Sequence, residues 1–244
     1  MRPSASTSVR GPQRRSRSRS WRRSSPCAIA GAAAASRRRR LPPRVDDAPR
    51  EIGGIILAAG ESRRFGAQKL LAELDGRPLL QHVIDAAVVS ALEDVVVVLG
   101  ADADRIAASL APGRARVIVN EDYASGLASS LQAGLRTIDG RSHAALVLLG
   151  DMPGVTTELI SELMALGRDA KSSAIVSVWH GRRSPPAILH RTLWPAAFAL
   201  RGDVGMREVL AGRDDIAEVR VTAALGSLDD VDTPADHQRL ARGG

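Results

Sequence analysis

The chain has 244 residues, 25% of them charged, and a formal net charge of +7 at pH 7. The charge is unevenly spread: residues 1–50 carry a net +12, from 14 arginines against two aspartates, and residues 51–244 carry a net −5. Aromatic residues make up only 2% of the chain, too few for a platform on which single-stranded bases stack. The single cysteine, Cys27, excludes a disulfide framework and a cysteine-based zinc site, and it favours a reducing, cytoplasmic setting. No run of about 18 apolar residues predicts a membrane span.

Residues 1–50 are rich in Arg, Ser, Ala and Pro and lack periodic apolar residues, so the sequence predicts a disordered tail. An organelle transit peptide has this composition, and an RNA-binding arm has this charge. A secretory signal fits less well, because the alanine-rich stretch 27–35 soon runs into four arginines. The remaining hypothesis is a non-native tail with the true start near Val45, because translated GC-rich DNA has the same bias toward Arg, Ala and Pro.

Residues 51–244 alternate short apolar runs with helical patterns. In chain order, we predict strands at 52–58, 95–100, 116–119, 144–149, 174–178 and 216–221. Helices are predicted at about 78–88, 102–110, 126–138, 156–167, 190–200, 205–210 and from 234 onward. The alternation predicts an α/β domain with a mainly parallel sheet, in which ligands lie beyond the carboxyl ends of the strands.

The segment 57–69, LAAGESRRFGAQK, follows the first predicted strand. Small residues let the backbone approach a ligand closely, and the amides of such a loop can form a concavity that binds anions. Arg64 and Lys69 add positive charge for a polyphosphate. The segment is neither a Walker A loop nor G-x-G-x-x-G. A glycine loop with solvated basic side chains is the alternative.

Acidic residues follow the strand at 144–149 and precede the last helix. Asp151 follows Gly150 at the end of the strand, where a carboxylate suits Mg²⁺. The alternative is a turn or a cap of the following helix, for which Thr156 and Thr157 compete. Thr233 before a proline is typical of a helix cap. Asp230 and Asp232 exceed what a cap needs, so a second metal ligand is predicted there.

Together these motifs resemble the MobA-like nucleotidyltransferase family, and within it the molybdenum cofactor cytidylyltransferases. The resemblance runs from about residue 52 to 240. The pattern LAAG-x-S-x-R-[MF]-G-x-x-K is matched at Leu57, Ala58, Ala59, Gly60, Ser62, Arg64, Phe65, Gly66 and Lys69. Further matches are Asn120, Tyr123, Gly126 and Ser130; GDMP at 150–153; Gly202, Asp203, Gly205 and Arg207; and DxDTP at 230–234.

The resemblance implies a three-layer, Rossmann-like sheet of the nucleotide-diphospho-sugar transferase type, in a single domain over residues 51–244. It implies transfer of a nucleoside monophosphate from an NTP to a phosphate-bearing acceptor, with release of pyrophosphate and Mg²⁺ as cofactor. Ala58-Ala59 is similar to the cytidine-using branch, so CMP transfer from CTP to molybdopterin is expected. Guanylyl transfer from GTP and sugar-phosphate, methylerythritol-phosphate or phospholactate acceptors remain open. A molybdoenzyme or its chaperone is the expected protein partner.

The resemblance also implies residue roles. The catalytic residues would be Arg64, Lys69 and Asp151, and the metal ligands would be Asp151, Asp230 and Asp232. The nucleotide-binding residues would be Leu57, Ala58, Ala59, Gly60, Ser62, Arg64, Gly66, Lys69, Gly126 and Ser130. The acceptor-binding residues would be Arg182, Arg183, Asp203 and Arg207, although Ser184-Pro185-Pro186 departs from the family's frequent Gly-x-Pro. A solvated basic turn is the alternative for Arg182 and Arg183. A nucleotide-sensing module should lack the acids, and an RNA-binding protein would depend on the tail alone.

Overall fold

The computed structural model describes residues 51–138, 140–168 and 171–242. The predictions for residues 1–50, including disorder and a start near Val45, lie outside the described residues. The strands are β1 (Ile52–Ala58), β2 (Glu73–Leu74), β3 (Arg77–Pro78), β4 (Val95–Leu99), β5 (Arg116–Val119), β6 (Ala144–Leu149), β7 (Ala174–Trp179), β8 (Arg182–His190) and β9 (Ile216–Arg220). The α-helices are α1 (Leu79–Val89), α2 (Ala103–Ala108), α3 (Leu127–Thr137), α4 (Thr157–Gly167), α5 (Trp194–Ala199), α6 (Met206–Val209) and α7 (Pro234–Ala241).

Seven strands form one sheet in the order β5-β4-β1-β6-β8-β7-β9. Strand β8 is antiparallel to both of its neighbours, and every other pairing in this sheet is parallel. The carboxyl ends of β1, β4 and β6 therefore open onto the same edge of the sheet. The predicted α/β class with a mainly parallel sheet is confirmed.

Helices cover both faces of the sheet, which explains the continuous apolar runs of the central strands. In β1, Ile52 and Ile56 belong to the core cluster that contains α1 and α4 residues such as Leu80 and Leu159. Ile55 and Leu57, which flank Ile56 and point to the other face of the sheet, belong to the opposite cluster. That second cluster is completed by residues of α3, α5 and α6. Two helical layers around one sheet give the predicted three-layer arrangement.

The sequence pattern missed strand β8. Pro185 and Pro186 interrupt its apolar run, and prolines argue against a central strand because they cannot donate to the ladder. The structure accommodates them with a register shift: Val176 pairs with Ala187, but the next residue, Ser177, pairs with Ser184. The Ser177 hydroxyl donates instead to the carbonyl of Pro186 at 2.7 Å.

The predicted helix over 190–200 was partly wrong. His190 still belongs to β8, residues 191–193 form a 3₁₀ turn, and α5 begins only at Trp194. The hairpin β2–β3 was also not predicted, although its turn residues Asp75 and Gly76 have positive φ angles, as Asp-Gly hairpin turns do. Along the part of the chain that the structure describes, no helix has both the length and the apolar character that a membrane span needs.

Candidate active site

The glycine loop is held against the carboxyl edge of the sheet by backbone hydrogen bonds. Gly150 N–H donates to the Leu57 carbonyl at 2.9 Å, and Ala101 N–H donates to the Ala59 carbonyl at 3.3 Å. Beyond Ala59 the loop turns at Ser62, whose φ angle is +54°. Gly66 has a φ angle of +76°, a turn conformation that glycine adopts readily, and it is not among the residues that line the cavity described below.

A cluster of two cations and two carboxylates lies where this loop meets the ends of β6 and the segment before α7. The Lys69 Nζ atom is 2.7 Å from Asp151 Oδ2 and 2.8 Å from Asp232 Oδ1. The Arg64 Nη1 atom is 2.9 Å from Asp232 Oδ2. The structure thus brings together all three predicted catalytic residues and one of the two acids before α7.

Local structure fixes both carboxylates of the cluster. The Val231 N–H donates to the Asp151 carbonyl at 3.1 Å, and the Val231 side chain is fully buried. Thr233 caps α7 in a capping box with Asp236, as predicted for this threonine. The cap of α4 is Thr156, which accepts from Leu159 N–H, so Asp151 is not needed there. Capping of α4 therefore does not explain the presence of Asp151.

Burial and neighbouring charges shift several pKa values in this region. Desolvation lowers the pKa of Lys69, but attraction and hydrogen bonds to Asp151 and Asp232 outweigh it, so this pKa lies above its usual value. Desolvation, with repulsion from Asp232 and Asp151, raises the pKa of Asp230. The opposite holds for Asp229, because a hydrogen bond from the Trp179 indole lowers its pKa.

The residues present fit a divalent metal bound with a nucleotide. Two cations face two carboxylates here, so they cancel each other, and an entering triphosphate needs further positive charge. The buried Asp151 Oδ1 atom accepts no hydrogen bond from any described residue, which leaves it available as a ligand. Among the described residues, no three Asp, Glu, His or Cys side chains are grouped to hold an ion. Asp151 and Asp232 offer two carboxylates, and a divalent ion held by one or two carboxylates can complete its shell with phosphates and water.

The cluster opens into a cavity of about 630 Å³. It is lined by predicted residues from all the motifs, namely Leu57, Ala58, Ala59, Gly60, Ser62, Arg64, Lys69, Gly126, Ser130, Asp151, Asp203 and Asp232. The residues that also line it and were not predicted are Glu61, Arg63, Leu70, Ala124, Leu127 and Leu149. Asp230 is not part of this lining.

The far wall of this cavity is built at the start of α3. Gly126 has a φ angle of +112°, and a Cβ atom there would lie 2.3 Å from the Gly202 carbonyl carbon. The Ala128 N–H donates to the Gly202 carbonyl at 3.2 Å. These contacts bring Asp203 to this cavity. The sequence grouped Asp203 with Arg182, Arg183 and Arg207 as acceptor-binding residues, but these three arginines do not line the same cavity.

The arginines lie along a second cavity of about 600 Å³. It is lined by Arg182, Arg183 and Arg207 together with mainly apolar side chains such as Leu131, Val147, Val176, Ala187, Met206 and Leu210. Leu57, Leu127 and Leu149 line both cavities. The two cavities therefore adjoin through these three leucines.

A family comparison identifies the chain. The model of the MobA-like NTP transferase domain matches residues 54–219, which include the glycine loop, Asp151, both cavities' arginines and Asp203. This chain belongs to the MobA-like NTP transferase family. The predicted family and the general class, a nucleotidyltransferase, are confirmed.

Two curated relatives match nearly their whole length. The MobA-like chain is 32% identical to nicotine blue oxidoreductase of Paenarthrobacter nicotinovorans, over 78% of this chain and 96% of that protein. It is 30% identical to the purine catabolism protein PucB of Bacillus subtilis, over 78% of this chain and 95% of that protein. Among solved structures, Rv0371C of Mycobacterium tuberculosis H37Rv in complex with manganese has a TM-score of 0.69 at 26% identity. The match covers 80% of this chain and all of that one.

Proposed function

We propose that this protein transfers CMP from CTP to the terminal phosphate of a molybdopterin-type acceptor and releases pyrophosphate, with Mg²⁺ as cofactor. The observation that carries the proposal is the cluster of Arg64, Lys69, Asp151 and Asp232 in a cavity that adjoins a second, apolar cavity with arginines. Nucleotide and acceptor would then meet at the carboxyl edge of the sheet. The name of one relative denotes a redox enzyme, but paired cations and carboxylates are the groups that phosphoryl transfer uses.

The chemistry is an in-line displacement at the α-phosphorus of CTP by an oxygen of the acceptor phosphate. That oxygen is already ionised at neutral pH, so the protein needs to supply no general base. Arg64 and Lys69 would bind the triphosphate and neutralise charge as it moves to the leaving pyrophosphate. Asp151 and Asp232 would hold Mg²⁺, which supplies further charge neutralisation when it is bound. Asp230 is the alternative metal ligand.

The second cavity has apolar side chains against which a flat ring system can pack, and arginines that can pair with an anionic group. These features support an acceptor that joins a ring system to a phosphate. Arg183 Nε is 2.8 Å from Glu218 Oε1 and is therefore already paired. Within the described residues no ion pair involves Arg182 or Arg207, so these two are the proposed partners of the acceptor's anion.

A pyrophosphate-release screen tests the proposal directly. Each of the four NTPs would be paired with molybdopterin, a hexosamine phosphate, methylerythritol phosphate and phospholactate, with Mg²⁺ present and after its removal with EDTA. We expect release only with CTP and molybdopterin, abolished by EDTA and restored by Mg²⁺. Release with GTP or with another acceptor would reassign the substrate, and no release with any pair would refute the proposal.

The acceptor site has its own test. We expect Arg182→Ala and Arg207→Ala each to raise the KM for the acceptor about tenfold, because each removes a charged hydrogen-bond partner worth about 1.5 kcal/mol. The matched control is Arg183→Ala. The guanidinium of Arg183 is already paired with Glu218, so this substitution should change the KM for the acceptor less. Equal effects of all three substitutions would contradict the assignment.

A further inference from the structure

A buried glutamine precedes Lys69 and connects three segments of the site. Gln68 is only 6% exposed. Its Oε1 atom accepts a hydrogen bond from the Ser62 hydroxyl at 2.8 Å and a longer one from Leu70 N–H at 3.5 Å. Its Nε2 atom donates to Asp102 Oδ2 at 3.4 Å. Gln68 therefore joins the glycine loop, the turn that carries Lys69 and the segment after β4.

These contacts occupy the Ser62 hydroxyl within the protein. It gives its proton to Gln68 and accepts from the Lys69 N–H at 3.2 Å. A hydroxyl has one proton to donate, so Ser62 holds the backbone of Lys69 in place instead of donating to a ligand.

Asp102 is also committed to this arrangement. It stands immediately before α2, where an aspartate usually caps the helix, but its side chain makes no capping hydrogen bond. Its backbone has a φ angle of +55°, an uncommon conformation for a residue other than glycine. Its carboxylate instead accepts the hydrogen bond from the Gln68 amide.

We propose that Gln68 is a positioning residue: through Ser62 and Asp102 it sets the backbone of Lys69, so that the ammonium group reaches Asp151 and Asp232. The side chain of lysine has four rotatable bonds, and its placement depends on a fixed starting point. An amide suits the position because it accepts from Ser62 and donates to Asp102 at once, which neither a carboxylate nor a hydrocarbon can do. The inference rests on the proposed function insofar as Lys69 binds the triphosphate.

The test is a reversal of hydrogen-bond polarity. Gln68→Glu keeps the acceptor for Ser62 but sets two carboxylates against each other, and we expect it to weaken metal-dependent CTP binding, measured by calorimetry, about tenfold. Adding Asp102→Asn restores a donor and an acceptor between positions 68 and 102, so the double variant should regain most of the affinity. If Gln68→Glu does not fold, the double variant still decides the question.

A second comparison separates positioning from general stability. In a Lys69→Ala background, Gln68→Glu should weaken CTP binding no further, because the lysine through which it acts is gone. The matched control is Gln81→Leu, because Gln81 is about as buried as Gln68. The Gln81 amide donates to the Ala111 carbonyl and accepts from the Ala111 N–H. The control substitution should lower the Tm and leave CTP affinity unchanged.

The proposal would be overturned if Gln68→Glu bound CTP like wild type, if Asp102→Asn failed to restore affinity, or if the loss persisted without Lys69. Because CTP binding needs no acceptor, absence of turnover with every acceptor would refute the proposed function and leave this inference standing. Wild-type protein that binds no NTP would overturn both.

Discussion

Lys69 is the residue on which the charges of the site converge. Its ammonium contacts two carboxylates, and attraction to them keeps its pKa above the usual value despite burial. It is therefore charged across the working range of pH, as a phosphate ligand must be. We expect Lys69→Ala to lower kcat by about 10²–10³-fold, the range for loss of one charge-stabilising donor. Lys171→Ala, at the chain's other lysine, is the control for pyrophosphate release, and an equal effect there would contradict the assignment.

Asp229 and Asp230 are neighbours whose pKa values shift in opposite directions. Replacing each by asparagine should therefore change the Tm of the protein in opposite directions at neutral pH. The raised pKa of Asp230 means that its ionised form destabilises the fold. Asp230 is exposed, so water screens its charge, and Asp230→Asn should raise the Tm of the metal-free protein by no more than about 1 °C at pH 7. The gain should vanish below about pH 4, where the carboxyl is neutral in both states.

Asp229→Asn is the matched comparison. Its lowered pKa means that the ionised carboxylate, held by Trp179 and Ser227, stabilises the fold at neutral pH and loses this effect as pH falls through the lowered value. Thermal melts of both variants between pH 3 and pH 7 should therefore shift in opposite directions at neutral pH. Tm shifts of the same sign would contradict the prediction that ionised Asp229 stabilises the fold and ionised Asp230 destabilises it.

At the scale of elements, the start of α3 depends on a glycine. At Gly126 a side chain would have to fit against the backbone of Gly202 with a positive φ angle. We expect Gly126→Ala to destabilise the protein by about 1–3 kcal/mol, because both the conformation and the close approach penalise a Cβ atom. It should also weaken NTP binding, because the wall that carries Asp203 would move.

The control for this substitution is Gly140→Ala, where an added Cβ would meet no atom of the described residues within 4 Å, its chain neighbours aside. Thermal melts and CTP titrations of both variants check the prediction. A Gly126→Ala protein as stable as the Gly140→Ala protein would argue against the packing account.

Strands were predictable from the sequence where a continuous apolar run marked both of their ends. The runs of β1, β4 and β6 are apolar on both faces, and their bounds were predicted to within a residue. Strand β8 was not, because its prolines contradict the usual pattern, and only the pairing with β6 and β7 explains why they are tolerated. A propensity rule cannot anticipate a register shift in a neighbouring strand.

At the scale of the whole molecule, every site residue that the sequence predicts lies at position 57 or later, and the described residues that line the two cavities do too. We expect removal of residues 1–50 to leave kcat and both KM values unchanged in the pyrophosphate-release assay. Because that segment carries a net +12 and the rest of the chain −5, any retention of the full chain on RNA should be lost with it. A truncated protein with impaired turnover would show that the tail contributes to the reaction.

The sequence by itself determined the α/β alternation, the family and the two ends of the site, since each depends on residues close together along the chain. The glycine loop, Asp151 and the acids before α7 were all recognisable in this way. Only the tertiary structure decided how they combine. Lys69 and Asp232 are 163 positions apart, and their contact exists because parallel strands deliver separate loops to one edge of the sheet. Contacts of the start of α3 with Gly202 likewise brought Asp203 to the first cavity, and the segment after β4 brought Asp102 to Gln68. No spacing along the chain encodes either placement.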